Sequence, residues 1–225
     1  MSLEKTDTST CAGVEGGCTA VMLYDETKVP HFHKDRREFK FGEIHLFIRQ
    51  KWSQGGVAAV VWDAAVVLAE YLDKNPDVVK GKLVLELGAG TGLAGIVAAM
   101  LGGHLTLTDR AKVLEYIQEN VELNIKSLTT VPKVTELDWG KNLFQFSDPF
   151  DVILGADIIY IEDTFQDLLE TLKHLCNRNC LVLLSCKIRY DRDTRFLSMM
   201  KEFFHINDIY YDSNKDVHIY EARKQ

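Results

Sequence analysis

Residues 83–93 read Leu-Val-Leu-Glu-Leu-Gly-Ala-Gly-Thr-Gly-Leu. The first five residues are apolar except Glu86, a pattern typical of a central parallel strand that is covered on both faces. Gly88, Gly90 and Gly92 then allow positive φ and let a ligand approach the backbone closely. Apolar residues at helical spacing follow. The stretch predicts a strand, a glycine loop and a helix, with a ligand at the carboxyl end of the strand.

The spacing of the glycines narrows the class of ligand. A dinucleotide site favours G-x-G-x-x-G, whereas Leu93 stands where the third glycine belongs, and the Gly-Lys-Ser/Thr ending of a P-loop is absent. A second apolar strand, Leu105–Asp109, ends in a carboxylate 21 residues after Gly88. An acid at this position can bind both hydroxyls of a ribose. The pattern indicates a nucleoside cofactor, with NAD or NADP as an alternative.

Composition limits the class of protein. The chain has 225 residues, 46% of them hydrophobic, which is enough for one well-buried α/β domain. A net charge of −7 without a basic stripe argues against nucleic acid as a partner. No apolar run approaches the ~20 residues of a membrane span, and we find no secretion signal. The five cysteines match no zinc signature. We therefore expect a cytoplasmic protein without a membrane partner or a metal site.

The domain organisation follows from local patterns along the chain. Residues 1–25 are rich in Ser, Thr and Gly without periodicity, so we expect a poorly ordered tail, followed by a single domain over 26–225. Alternation at about 39–50 predicts an N-terminal β-hairpin. The apolar positions of residues 57–72 predict a helix that leads to the glycine-loop strand.

The rest of the chain alternates strands with helices and closes with an antiparallel pair, which predicts a doubly wound α/β sheet. Beyond Asp109, the predicted strands and helices are a helix over 114–125, a strand over 133–139, a strand over 150–156, a helix over 165–175, a strand over 181–185, a helix carrying Phe196, Met199, Met200, Phe203 and Phe204, and strands over 206–211 and 217–222.

A second motif stands at the end of the strand that finishes with Ala156. Asp157 and Tyr160 place a carboxylate and a phenol three residues apart at this strand end. Ligands of open α/β sheets bind at the carboxyl ends of the strands, where the strand order reverses, and we expect this motif to lie there. The alternatives are that Asp157 caps the following helix and that Tyr160 only packs.

Asp157 and Tyr160 resemble the Asp-x-x-Tyr motif of the lysine-specific seven-β-strand methyltransferases. The resemblance is closest to the subgroup centred on the lysine methyltransferase of 70-kDa heat-shock chaperones. It implies a Rossmann-like seven-stranded sheet, mostly parallel with an antiparallel terminal strand, and S-adenosylmethionine as the methyl donor, with S-adenosylhomocysteine as product. It covers the chain from about Phe39 to the end, on the stretches 56–65, 86–92, 108–110, 137–140, 154–160, 187–190 and 216–222.

The resemblance also implies roles for single residues. Trp62 and Ala156 would lie at the methionine part of the cofactor, and Asp109 would hold its ribose. Trp139, together with Asp138, would lie at the adenine. The glycine loop would line the cofactor with residues Glu86, Gly88, Ala89 and Gly90.

The chemistry of lysine methylation is consistent with Asp157 and Tyr160 as the catalytic residues. A lysine ammonium must lose a proton before it attacks a sulfonium methyl, at a cost of about 4.6 kcal/mol at pH 7 from an unperturbed pKa. A carboxylate can orient the ammonium and help the proton leave, while a tyrosine offers a π face or a hydroxyl.

We expect a monomer that acts on a protein, with a 70-kDa heat-shock chaperone as substrate. The alternatives are another protein, such as an elongation factor or an AAA ATPase, and a module that binds the cofactor or a chaperone without catalysis. Fold analogy does not choose among these substrates.

Overall fold

The computed structural model describes residues 30–147 and 149–225. The tail expected over residues 1–25 lies outside this described part, as do residues 26–29, with which the predicted domain begins. The described residues form nine strands and six α-helices, joined by turns and short 3₁₀ segments. The strands are β1 Arg36–Phe41, β2 Ile44–Arg49, β3 Leu83–Leu87, β4 His104–Asp109, β5 Lys133–Glu136, β6 Val152–Ala156, β7 Leu181–Cys186, β8 Phe204–Asp212 and β9 Val217–Lys224. The helices are α1 Trp52–Gly55, α2 Asp63–Lys74, α3 Leu93–Met100, α4 Leu114–Asn124, α5 Phe165–Leu175 and α6 Asp191–Lys201.

The main sheet has seven strands in the order β5-β4-β3-β6-β7-β9-β8. The pairs from β5 through β7 are parallel, and β9 runs antiparallel to both of its neighbours. The strand order reverses at β3, which lies between β4 and β6, so ligand-binding loops are expected at its carboxyl end. The predicted fold class, a mostly parallel doubly wound sheet closed by an antiparallel strand, is confirmed.

The two faces of the sheet bury two separate cores, because alternate side chains of a strand point to opposite faces. Val84 of β3 packs with apolar residues of α2, α3 and α4 and of the hairpin. Leu85 and Leu87 pack on the other face against α5 and α6. β3 is therefore covered on both sides, as its apolar sequence predicted.

The N-terminal hairpin of β1 and β2 is tied to the main domain by two asparagines of α4. Asn124 accepts the N–H of Phe47 and donates to its carbonyl, and Asn120 does the same at Arg49. Asn120 also donates to the carbonyl of Thr91 in the glycine loop. These bonds satisfy backbone groups at the free edge of β2 and connect the hairpin to the ligand-binding loop.

The predicted helix over 57–72 is wrong in its first third. α2 begins only at Asp63, because Trp62 has extended backbone angles and the segment before it is a 3₁₀ turn followed by a loop. Long-range bonds fix this loop: Gln50 accepts the N–H of Val61 through its side chain, and Ala59 accepts the N–H of Lys51. Tertiary hydrogen bonds outweigh the local helical pattern here.

The predicted C-terminal end of the last helix is also wrong, because it lies beyond the observed end. α6 ends at Lys201, and Phe204 is the first residue of β8. Phe204 nevertheless packs in the same core as Phe196, so its burial does not depend on the helix.

Within the described residues, no single helix has the length and apolarity to cross a lipid bilayer. The bent pair Trp52–Ala59 and Asp63–Lys74 reaches that length and composition only when its two parts are counted together across a 56° bend.

Candidate active site

A cavity of about 350 Å³ opens at the carboxyl ends of β3, β4 and β6. It is the size of a small-molecule site, which typically has ~300 to 1,000 Å³. The structure places all eleven residues that the sequence singled out around it, namely Trp62, Glu86, Gly88, Ala89, Gly90, Asp109, Asp138, Trp139, Ala156, Asp157 and Tyr160. The topology thus brings the two motifs, more than sixty residues apart in sequence, to one site.

The glycine loop needs glycine at position 90 for two independent reasons. Its φ is +57°, a left-handed conformation that side chains disfavour. A Cβ atom on Gly90 would lie 2.9 Å from the carbonyl oxygen of Ala58, which is too close for any carbon. The loop therefore packs directly on the 57–62 segment, whose residues Val57 and Ala58 also line the cavity.

Asp109 ties the end of β4 to the glycine loop. Its Oδ2 accepts the N–H of Gly90 at 3.0 Å, and its Oδ1 accepts the N–H of Arg110 at 2.8 Å. Burial raises the pKa of this carboxyl, while the two backbone donors act in the opposite direction. Asp109 is thus held in place with its carboxylate at the cavity wall, as a group that binds two hydroxyls requires.

Glu86 lies deeper than Asp109 and braces the start of α3. Its side chain is buried, and its Oε2 accepts the N–H of Gly95 at 3.0 Å. Gly95 has no room for a side chain, since a Cβ there would lie 2.4 Å from this oxygen. Burial raises the pKa of Glu86 to about 8. Burial thus favours the protonated form of this carboxyl, while the backbone bond from Gly95 acts in the opposite direction.

The two tryptophans lie in loops rather than in regular elements. Trp62 is 40% exposed and donates its indole N–H to the carbonyl of Val57 at 2.8 Å. Trp139 was predicted in a strand over 133–139, but β5 ends at Glu136 and Leu137 to Trp139 continue as a loop along the cavity. The Trp139 ring lies so close to Gly88 that a Cβ there would be 3.2 Å from it.

Asp138 is more accessible than Asp109 and Glu86, with a side chain that is 40% exposed. Its carboxylate pairs with Lys141 at 2.7 Å, and both side chains face solvent. An exposed pair of this kind contributes little to stability.

Asp157 lies directly after β6 in a left-handed conformation, with φ of +55°. Its backbone N–H donates to the carbonyl of Ser185 on β7. Its carboxylate receives two hydrogen bonds of 2.9 Å from Arg189, one to each oxygen. The helix-cap alternative for Asp157 is therefore wrong, because the carboxylate binds a guanidinium and α5 has no side-chain cap.

Tyr160 faces the cavity on the same loop as Asp157. It is 39% exposed, and the burial of the rest of the ring raises the pKa of its phenol. The hydroxyl therefore stays protonated across the physiological range and is available as a hydrogen-bond donor.

Sequence reasoning gave little weight to Arg189, which is the partner of Asp157. The only local signal is its position in the Lys187–Tyr190 stretch just after β7, at the same edge of the sheet. Arg110 beside Asp109 was also missed, although it lines the cavity. Among residues 30–147 and 149–225, no cluster of His, Cys, Asp and Glu side chains could hold a metal ion.

This strand order, with a glycine loop and an acid at a strand end on one cavity, is typical of the S-adenosylmethionine-dependent methyltransferases. Solved structures agree on the fold: the 16S rRNA N2 G1207 methyltransferase of T. Thermophilus, in complex with AdoMet and guanosine, has a TM-score of 0.65 at 18% identity, over 85% of this chain and 51% of its own. The magnesium protoporphyrin IX methyltransferase of Synechocystis, with bound SAM, has a TM-score of 0.55 at 19% identity, over 72% and 78%.

Sequence comparison identifies the family. Residues 40–203 match the family described as lysine methyltransferase. The protein N-lysine methyltransferase METTL21A of Mus musculus is 51% identical over 92% of this chain and 97% of its own length, and that of Xenopus tropicalis is 52% identical over 91% and 96%. EEF1A lysine methyltransferase 3 of Xenopus tropicalis is 37% identical over 90% and 89%.

The chain belongs to the lysine methyltransferase family. The enzyme class predicted from the sequence, a protein-lysine N-methyltransferase, is thereby confirmed. S-adenosylmethionine as its cofactor is confirmed by the methyltransferase family together with a fold shared with solved methyltransferases that hold SAM or SAH.

Proposed function

We propose that the enzyme binds S-adenosylmethionine in the cavity across the ends of β3 and β4 and methylates a lysine of a 70-kDa heat-shock chaperone. In this proposal the substrate lysine lies beside Asp157 and Tyr160 of the enzyme. The observation that carries the site assignment is the convergence of the two predicted motifs on one cavity of suitable size.

The residues on the β3 and β4 side suit the cofactor. Asp109 presents a fixed carboxylate for the ribose hydroxyls, and Trp139 beside Gly88 offers a ring face for the adenine. Trp62 and the backbone of Ala156 lie where the methionine part would extend. When bound, S-adenosylmethionine supplies an electrophilic methyl group on a sulfonium.

Asp157 and Tyr160 prepare the lysine. The Asp157 carboxylate accepts a hydrogen bond from the incoming ammonium and orients its nitrogen, and the proton then leaves to water through the open side of the cavity. Tyr160 places its ring or hydroxyl beside the nitrogen and narrows the approach. Holding the nucleophile in line with the methyl group supplies most of the rate enhancement.

The chaperone as substrate rests on the resemblance of the Gly56–Ala65 and Leu154–Tyr160 stretches to the chaperone-specific subgroup, and the high identity to METTL21A proteins is consistent with it. An elongation factor is the second candidate, since two relatives are named EEF1A lysine methyltransferase 3. These relatives are less similar, at 37% and 40% against 51% and 52% identity.

The test is methyl transfer from labelled cofactor to purified proteins, followed by mass spectrometry of the labelled peptide. We expect label on one lysine of the 70-kDa chaperone, and loss of label when this lysine is replaced by arginine. Elongation factor 1A, an AAA ATPase, tRNA, DNA and free lysine should be poor acceptors. Label on the elongation factor alone would contradict the chaperone proposal, and nuclease-sensitive label would contradict lysine methylation altogether.

A further inference from the structure

The ion pair between Asp157 and Arg189 is built into the fold. Asp157 is only 10% exposed in this pair, and both of its oxygens are bound at 2.9 Å. The Arg189 side chain is 34% exposed, so burial acts mainly on the Asp157 end of the pair. The two parallel, charge-assisted hydrogen bonds nevertheless favour one geometry over a single-contact surface pair.

The backbone that carries Arg189 is itself braced from two sides. The N–H groups of Arg189 and Tyr190 both donate to Oδ2 of Asp193, a buried residue in the first turn of α6. Lys187, two residues earlier, pairs with Asp216 in the turn between β8 and β9 at 3.2 Å. These contacts aim the guanidinium at Asp157 from a rigid turn.

A carboxylate that binds lysine faces a conflict, because it favours the ammonium, which cannot attack, over the neutral amine, which can. An opposite charge beside a titratable group favours its charged form. Alone, Asp157 would therefore raise the pKa of a bound lysine and hold it in the unreactive state. A guanidinium on the same carboxylate offsets that negative charge and leaves its oxygens as hydrogen-bond acceptors.

We propose that Arg189 is a positioning residue that neutralises Asp157, so that the site orients the substrate lysine without retaining it as an ammonium. This inference rests on the proposed lysine role of Asp157, but not on the chaperone as substrate. The other charged or titratable groups around the pair are Asp109, Arg110, Tyr160, Asp167, Cys186 and Asp193. Arg110 lines the same cavity and acts on Tyr160, whereas Arg189 is the cation that is hydrogen-bonded to Asp157.

The experiment compares single-turnover rates of the full chain, with saturating cofactor, between pH 6 and pH 9.5. We expect Arg189→Gln to lower the rate by about tenfold at pH 7 and to shift the apparent pKa of the profile upward by about one unit, so that the tenfold gap between the two rates persists below the wild-type pKa and narrows above it. Arg189→Lys keeps the charge and should keep the wild-type pKa at a reduced rate. Glu86, with a pKa of about 8, titrates in both proteins, so the difference between profiles isolates Arg189.

Arg223→Gln is the matched control, because it removes the same charge from β9 at a site away from the cavity. It should give the wild-type profile. A rate for Arg189→Gln that is lowered equally at pH values on both sides of the wild-type pKa would overturn the proposal and indicate a structural role. Tighter substrate binding, read from the dependence of the single-turnover rate on substrate concentration, with an unchanged profile would also overturn it, since Arg189 would then only compete with the lysine. A wild-type enzyme that labels no lysine would instead contradict the proposed function.

Discussion

The two sides of the cavity hold their acids in different ways. On the β3 and β4 side, where we propose that the cofactor binds, Asp109 bonds to the backbone of Gly90, which is 19 residues away in sequence. On the β6 side, where we propose that the lysine binds, Asp157 bonds to the side chain of Arg189, which is 32 residues away. A backbone partner fixes the shape of a loop and cannot be removed by mutation, whereas a guanidinium also sets the charge. The cofactor side is thus preorganised in shape, and the lysine side in charge.

The difference predicts that mutations of Asp109 and Asp157 change different quantities, cofactor affinity for Asp109 and catalysis for Asp157. Asp157→Asn keeps the size and tolerates the left-handed backbone, but it replaces one acceptor oxygen by an amide donor and leaves the charge of Arg189 without its partner. We expect kcat/KM to fall by on the order of 100-fold or more while cofactor affinity stays within a few-fold. Steady-state kinetics measures kcat/KM, and calorimetry measures cofactor affinity. An equal fall in both would contradict separate roles for the two sides of the cavity.

Asp109→Ala should weaken cofactor binding without changing the groups around Asp157. Loss of a charged hydrogen-bond partner should weaken S-adenosylmethionine binding by roughly 1.5 to 3 kcal/mol. Calorimetry measures this directly, with Asp77→Ala, an exposed acid outside the cavity, as control. An unchanged affinity in the Asp109 variant would remove Asp109 from the site.

Glu86 makes the stability of the cofactor side depend on pH. Its pKa is about 8 in the folded chain and ordinary in the unfolded chain, so the folded state binds more protons between these values. Stability is therefore highest at low pH in this window and falls as pH rises, by about 1 kcal/mol per unit near pH 6 to 7. Urea unfolding without cofactor should show this slope, and Glu86→Gln should flatten it. Equal slopes in the two proteins would contradict the assignment.

Asp138→Ala should have the smallest effect of the four changes. The side chain is 40% exposed and already paired with Lys141, so we expect cofactor affinity to fall no more than a few-fold and stability to change by less than about 1 kcal/mol. The comparison with Asp109→Ala then measures how much burial increases the contribution of a carboxylate to cofactor binding in the same half of the cavity. An effect as large as that of Asp109 would show that Asp138 contacts the cofactor strongly.

Local patterns along the sequence were enough for the elements whose hydrogen bonds are local. β3 occupies Leu83–Leu87 and α5 occupies Phe165–Leu175, as their apolar patterns predicted. The glycine spacing and the acids at the strand ends identified one candidate site, since parallel strands of one sheet end at the same edge. These features follow from backbone geometry and side-chain periodicity, which a sequence displays directly.

Contacts between distant segments depend on the folded chain as a whole. The 57–62 segment leaves the helical pattern because Gln50 and Lys51 bond to it, and the hairpin is held by Asn124, 77 residues beyond its partner Phe47. The pairing of Asp157 with Arg189 likewise depends on β6 and β7 being neighbours and on Asp193 bracing the turn. The sequence shows which residues can bond, but their partners are set by the strand order, and no local pattern encodes it.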